Sequence, residues 1–219
     1  LGDGHFASET FERKLAAGVD PWPLPLREAK TRNVYTVLAQ ADGARLPFPS
    51  RYFASAVSNS VLEHIPDMDA VLFDLNRVLK PGAAFVFCSP SDHFLEFLSL
   101  SRALRRIGWR GLAERYERFF NRISRHHHCD SPEVWRQRLA RTGFEVERWW
   151  YYFSPAAHAA LEWGHYLGLP SAAAKMLTGR WILWPSRANL WLTEKLLRKY
   201  FEEGEQTTGA YLFFVARKV

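Results

Sequence analysis

The sequence predicts an α/β protein built on a mostly parallel sheet with helices on both faces. Three observations carry that expectation. Strand-length apolar runs alternate with segments of helical period over residues 5–90 and again over 131–153, the arrangement that right-handed βαβ units require. The stretch Ala83-Ala84-Phe85-Val86-Phe87-Cys88 is apolar at every position, which marks a strand covered on both faces. Just before it, Lys80-Pro81-Gly82 closes a helix-periodic stretch at a proline that cannot continue it.

Taken in order, Gly2-Asp3-Gly4 is a glycine turn with no strand ahead of it. Residues 5–17 hold Phe6, Ala7, Phe11, Leu15 and Ala16 and run to Gly18, so a helix is expected there, with Val19-Asp20 ending a short strand. Pro21, Pro23 and Pro25 make a stiff turn, Arg27 to Lys30 a brief helix, and Val34 to Leu38 a strand. Phe53 to Asn59 is a compact run of strand length. From Met68 to Leu79, the residues Val71, Leu72, Leu75, Val78 and Leu79 recur every three or four positions as one buried stripe. After Ser89-Pro90 the alternation lapses into a helical stretch over 93–125 and a His-rich loop. Ser131 is the natural N-cap of a helix over Pro132–Thr142 that Gly143 stops. A strand over Phe144–Phe153, a second helical stretch over 155–203 and a closing strand over Gly209–Val219 complete the chain. The expected organisation is one domain over 1–219 that lacks its first strand, with helical cap insertions at 93–130 and 155–206.

A composition of 47% hydrophobic and 24% charged residues is that of an ordinary globular chain and excludes a disordered or fibrous one. Cys88 and Cys129 are too few for a disulfide scaffold. With no 18-residue apolar run and no leader pattern in this sequence, a cytoplasmic location is expected. The net charge of +6 is concentrated: Arg102, Arg105, Arg106, Arg110, Arg115, Arg118, Arg122 and Arg125 face only Glu114 and Glu117, an excess equal to the whole surplus. Such a face suits phosphate, an anionic membrane or an acidic substrate, and is otherwise a solvated helix surface.

Four segments then stand in a recognisable order: Gly2-Asp3-Gly4 with Asp20 sixteen residues later, Asp42-Gly43-Ala44-Arg45-Leu46-Pro47-Phe48, Ser58-Asn59-Ser60-Val61-Leu62-Glu63-His64-Ile65-Pro66-Asp67, and Arg77-Val78-Leu79-Lys80-Pro81-Gly82-Ala83. Together they resemble the class I S-adenosylmethionine-dependent methyltransferases, particularly the small-molecule enzymes of ubiquinone and menaquinone biosynthesis. The resemblance implies a Rossmann-like, mostly parallel seven-stranded sheet whose last strand is antiparallel, and S-adenosyl-L-methionine as cofactor. It implies that Gly2, Asp3 and Gly4 lie against the cofactor, because a Cβ there would occupy the same space or forbid the needed φ. Asp20 would accept hydrogen bonds from the ribose hydroxyls, Asp42 would accept the adenine amino group beside the Gly43 backbone, and Ser58, Asn59 and Ser60 would face the methionine part. Each has a plainer alternative in turn formation or capping. Ala54 departs from the family, which often has Asp after this Phe.

Methyl transfer of this kind needs alignment and, for a protonated nucleophile, a base. His64, beside the cofactor turn, is the first candidate and His93, after the fifth strand, the second; a backbone-bonding helix-start histidine is the plain alternative for His64. His126-His127-His128-Cys129-Asp130 invites a metal, yet adjacent side chains diverge and a site needs about four convergent ligands, so no metal is assigned. Six of the nine tryptophans, at 149, 150, 163, 181, 184 and 191, fall in the second helical stretch, where they would close over an apolar substrate or form a homodimer contact. Leu192, Leu196 and Tyr200 repeat every four residues with Lys195, Arg198 and Lys199 off the stripe, an amphipathic helix suited to core packing or to membrane-surface contact. The leading expectation is therefore a methyltransferase acting on a small, apolar or lipid-linked molecule. The alternatives are a catalytically silent partner protein of the same fold, or an RNA- or membrane-surface binder using the arginines. Nucleic acid is not expected as a partner, because no nucleic-acid motif is present.

Overall fold

The computed structural model describes residues 2–168, 176–178 and 186–219. In chain order the elements are α1 (His5–Thr10), β1 (Leu15–Asp20), α2 (Pro23–Arg32), β2 (Tyr35–Gln40), β3 (Phe53–Asn59), a 3-10 turn (Leu62–His64), α3 (Met68–Val78), β4 (Leu79–Pro90), α4 (Ser99–Arg106), α5 (Arg110–Ser124), α6 (Pro132–Arg141), β5 (Phe144–Tyr152), α7 (Pro155–Leu167), α8 (Arg187–Phe201) and β6 (Tyr211–Lys218). They divide into two compact units, one of residues up to Pro90 with 126–149 and 213–219, the other of 91–125 with 150–212.

The first unit carries the sheets. β1 pairs with β2 in parallel, Leu15 opposite Tyr35 and Asp20 opposite Gln40, and a four-stranded sheet runs β3-β4-β6-β5 with β3 and β4 parallel. The Val219 amide donates to Gly143 and the Ala210 amide to Phe153, so β6 runs antiparallel to β5, as expected of the last strand. Among the described residues the expected seven-stranded sheet is corrected to six strands in two sheets. β1 and β3 are each paired on one edge only, and their facing edges line a cavity of about 690 Å³ to which every residue of both strands contributes. Paired strands lie ~4.8 Å apart, and a cavity of this size leaves no ladder between these two.

Two local expectations also change. The helix expected over 5–17 ends at Thr10, and Leu15 to Asp20 is a strand with Gly18 inside it. Pairing with β2 outweighs the modest helix propensity of Leu15-Ala16-Ala17, since propensity is a weak prior against tertiary contact. Lys80-Pro81-Gly82 stops α3 as expected but lies within β4. The register jumps from Phe53 opposite Leu79 to Ser55 opposite Ala84, so these residues form an irregularity in the strand, with Gly82 at φ 73°. The Arg217 guanidinium donates to the Gly82 carbonyl at 2.7 Å.

The core of this unit is aromatic. Phe87 stacks on Phe214 with ring centroids 4.9 Å apart, and fully buried Trp135 of α6 meets Phe87 at 4.7 Å. Ser131 caps α6 as expected, its hydroxyl accepting from the Val134 amide.

In the second unit α4 and α5, which carry the arginine-rich stretch, pack as a hairpin. Buried Glu162 of α7 accepts from the Ser99 amide at 2.5 Å and the Leu100 amide at 3.3 Å, capping α4, and from the Tyr116 hydroxyl at 2.5 Å. Burial, first, and then the bonds to Glu162 and Tyr166 push the Tyr116 hydroxyl above its ordinary range. In α8, Leu196 is exposed; Trp181, Trp184 and the side chain of Leu192 lie outside the described residues. No described helix is long and apolar enough to cross a membrane.

Candidate functional site

The carboxyl ends of parallel strands are where open α/β sheets bind ligands, and the cofactor positions expected from the sequence all fall in the first unit. β1 ends at Asp20, a buried residue 8% exposed. One of its oxygens accepts the Gly2 amide at 3.1 Å and the other the Trp22 amide at 2.9 Å. The turn at the start of the chain is thereby tied to the end of β1. Gly2 and Gly4 sit at φ 61° and 78°, the left-handed region that side chains disfavour. A Cβ on Gly4 would stand 3.1 Å from the Ala29 Cβ, so the turn also needs glycine for α2 to approach.

Asp3 has partners of its own. It accepts from the His5 amide at 3.0 Å and pairs with Arg32 at 3.1 Å. Partial burial opposes its charge, but the His5 amide and the Arg32 guanidinium outweigh that and hold the carboxyl below the usual range. Asp42 is exposed and its carboxylate accepts the Ala44 amide at 2.9 Å, the turn-forming role that was its alternative. A Cβ on the neighbouring Gly43 would come within 3.2 Å of Val71 on α3.

The segment Leu46-Pro47-Phe48 is held by an ion pair that sequence reading did not single out. The Arg77 guanidinium donates to the Phe48 carbonyl at 2.7 Å, the Leu46 carbonyl at 2.9 Å and the Asp74 carboxylate at 2.6 Å, while Asp74 accepts the Leu46 amide at 2.5 Å. The Arg77 hydrogen bond, first among its causes, holds the Asp74 carboxyl low despite burial. At the end of β3, Ser58 is half-buried and the exposed Asn59 accepts from the Cys88 thiol at 2.8 Å. Ser60 takes φ 49° and donates its amide to the Cys88 carbonyl at 3.3 Å.

Beyond Ser60 the 3-10 turn places Glu63 inward and His64 outward. Glu63 is 1% exposed, its Oε2 has no hydrogen-bond partner, and burial pushes its carboxyl up to about 7, against the opposing pull of its own amide. The His-rich loop lies against this turn: the amides of His127 and His128 donate to the Glu63 carbonyl at 2.7 and 3.3 Å. The His64 and His126 rings stand 5.2 Å apart. Sequence reading passed over Glu63; its one signal was a carboxylate set between the apolar pairs Val61-Leu62 and Ile65-Pro66. The other candidate base, His93, belongs to the second unit, where its ring stacks on Phe97 at 5.1 Å and its Nδ1 faces Glu96 at 3.3 Å.

Residues 1–87 match the family model described as a methyltransferase domain. The ubiquinone/menaquinone biosynthesis C-methyltransferase of Vibrio cholerae is 39% identical over 67 residues, 31% of this chain and 25% of that protein. The chain spans less than a third of the length of the quinone-biosynthesis relatives it matches. Among solved structures, an S-adenosylmethionine-dependent methyltransferase from Mesorhizobium loti has a TM-score of 0.56 at 17% identity, covering 99% of this chain and 87% of that one. The [4+2]-cyclase SpnF has a TM-score of 0.57 at 16% identity, with 99% and 71% covered. These two establish likeness of fold.

Proposed function

We propose that this chain, which carries a class I S-adenosylmethionine-dependent methyltransferase domain, transfers the sulfonium methyl of S-adenosyl-L-methionine to a small, apolar or lipid-linked acceptor. One observation carries the reading: Asp20, at the carboxyl end of β1, holds the Gly2–Gly4 turn across eighteen residues of sequence, inside the segment that matches the family model. The residues fit the cofactor. The Gly4 backbone is in a conformation a side chain disfavours, at a place a Cβ would crowd, and an ionised carboxylate can accept about four hydrogen bonds, the acceptor chemistry that ribose hydroxyls need. When bound, the cofactor supplies a methyl group already activated by the sulfonium. Asp20 would orient the ribose, the Gly43 backbone would flank the adenine, and Ser58 to Ser60 would border the methionine end. His64, which follows Ser60 on the 3-10 turn, would take a proton from an acceptor.

Calorimetric titration of the chain with S-adenosylhomocysteine tests the reading. Micromolar binding that disappears in Asp20→Ala is the expected result; no binding by a well-folded wild type overturns it. A second reading, a chain of this fold that does not methylate, is favoured by the cyclase among its fold relatives. Binding of the cofactor with no methyl transfer to any of a panel of quinols and phenols would select it.

A further inference from the structure

We propose that Glu63, His64 and His126 form a binding site for a divalent transition-metal ion of the zinc type, open to solvent on the His64 side. Each offers one ligand atom, and these atoms all lie within 4.8 Å of one another. The His64 Nε2 is 3.9 Å from the Glu63 carboxylate. Ligand atoms around one zinc ion stand about 3.4 Å apart, given metal–ligand distances near 2.1 Å. Closure therefore needs shifts on the order of 1 Å among the three side chains.

Two independent features mark this as a built site. The first is Glu63 itself: a carboxylate 1% exposed whose Oε2 meets no donor, although such groups are costly to bury without a cation or a hydrogen bond. A bound cation supplies the missing partner. The second is the attachment of the loop that carries His126. The Glu63 carbonyl accepts two of its backbone amides, and the His128 Nε2–H donates to the Ile65 carbonyl at 3.1 Å. A carbonyl can only accept, so this bond fixes the His128 tautomer and leaves Nδ1 facing Asp130 at 3.8 Å. The turn after β3 and the loop before α6 are thus fastened together at the backbone, and His126 is presented to Glu63 from across 63 positions of sequence.

A carboxylate with two imidazoles is a donor set that selects zinc and its neighbours over magnesium or calcium, which take oxygen ligands. Three protein ligands with one side in water leave a coordination position open. That position can take an anionic or hydroxyl oxygen, and His64 then serves as a ligand rather than as a base. A metal-bound His64 would not act as the base proposed above, so the two roles exclude one another while the ion is held; the readout itself does not depend on the cofactor.

Cobalt is the probe. The full chain, stripped with EDTA and dialysed, is titrated with cobalt(II) chloride while visible d–d absorption is followed, and zinc is then added in competition. One equivalent should saturate the bands and zinc should abolish them. Glu63→Gln and His126→Ala should each weaken cobalt binding about tenfold or more, since even outer-shell changes cost metal sites 10–100-fold. His127→Ala, an exposed neighbour, should leave it unchanged. Absence of bands in the wild type, or bands that survive both ligand substitutions, overturns the proposal. Circular dichroism checks each variant's fold, and His126→Ala decides the matter if Glu63→Gln does not fold.

Discussion

Replacing Glu63 by glutamine in the metal-free protein should reverse a pH-dependent loss of stability. In the folded chain burial raises this carboxyl from its ordinary 4.5 to about 7. Below 4.5 both folded and unfolded states hold the proton, and the group contributes nothing to the pH dependence. Between 4.5 and 7 the unfolded chain releases the proton while the folded chain keeps it. The folded state then binds more protons, so stability falls as pH rises. At ~1.4 kcal/mol per pH unit, the gap between the two values amounts to about 3 kcal/mol of penalty, fully present above 7. Glutamine keeps the shape and carries no charge. The stability of Glu63→Gln minus that of the wild type should therefore climb by about 3 kcal/mol between pH 4.5 and 7.5 and then level. Urea unfolding of both proteins in EDTA across this range measures it, and the difference cancels the titration of every other group. A difference that stays flat, or falls as pH rises, refutes the reasoning, because it would mean that the buried carboxyl ionises in the folded chain as readily as in the unfolded one.

Three further outcomes follow from packing and hydrogen bonds. Trp135→Ala should cost about 3–5 kcal/mol in denaturant unfolding, because the indole is fully buried against Phe87 and Phe214; Trp135→Phe should cost much less, since the buried indole N–H has no partner to lose. Gly4→Ala should weaken S-adenosylhomocysteine binding in calorimetry, because φ 78° and the 3.1 Å approach to Ala29 force the turn to move; an affinity equal to wild type would show that the turn is not part of the site. Glu162→Ala should destabilise by about 1–3 kcal/mol, as three part-buried donors lose this carboxylate, whereas Glu162→Gln should retain part of the loss.

The sequence and the structure agree where local chemistry and tertiary pairing point the same way. β3 is found at its expected bounds, α3 ends beside Pro81, and α6 begins at the hydroxyl of Ser131. They part at Leu15-Ala16-Ala17, where helix formers are drawn into a strand by a partner twenty residues on. The site shows the same division. Asp20 and the glycine turn are visible as a spacing, and the structure joins them with a hydrogen bond. Asp42 and Asp3, expected against the cofactor by position, also engage in a turn and in an ion pair. Glu63 was illegible because its meaning depends on burial and on His126, which no local pattern links to it. The same distance explains why the His-rich loop, considered alone, lacked converging ligands: its partners come from the turn after β3.

The slot between β1 and β3 should write a pattern into the amide hydrogens that border it. Along a strand, successive N–H groups point to opposite edges. The Leu15 amide is bonded toward β2 and the Ser60 amide toward β4, so by alternation the amides of Ala16 and Gly18 on one side, and of Ser55, Val57 and Asn59 on the other, are directed at the cavity. Those five should exchange with deuterium at the pace of surface loops while the residues between them stay protected by their ladders. Each strand then carries a comb of fast and slow positions, and a strand settling into the slot would erase both combs at once.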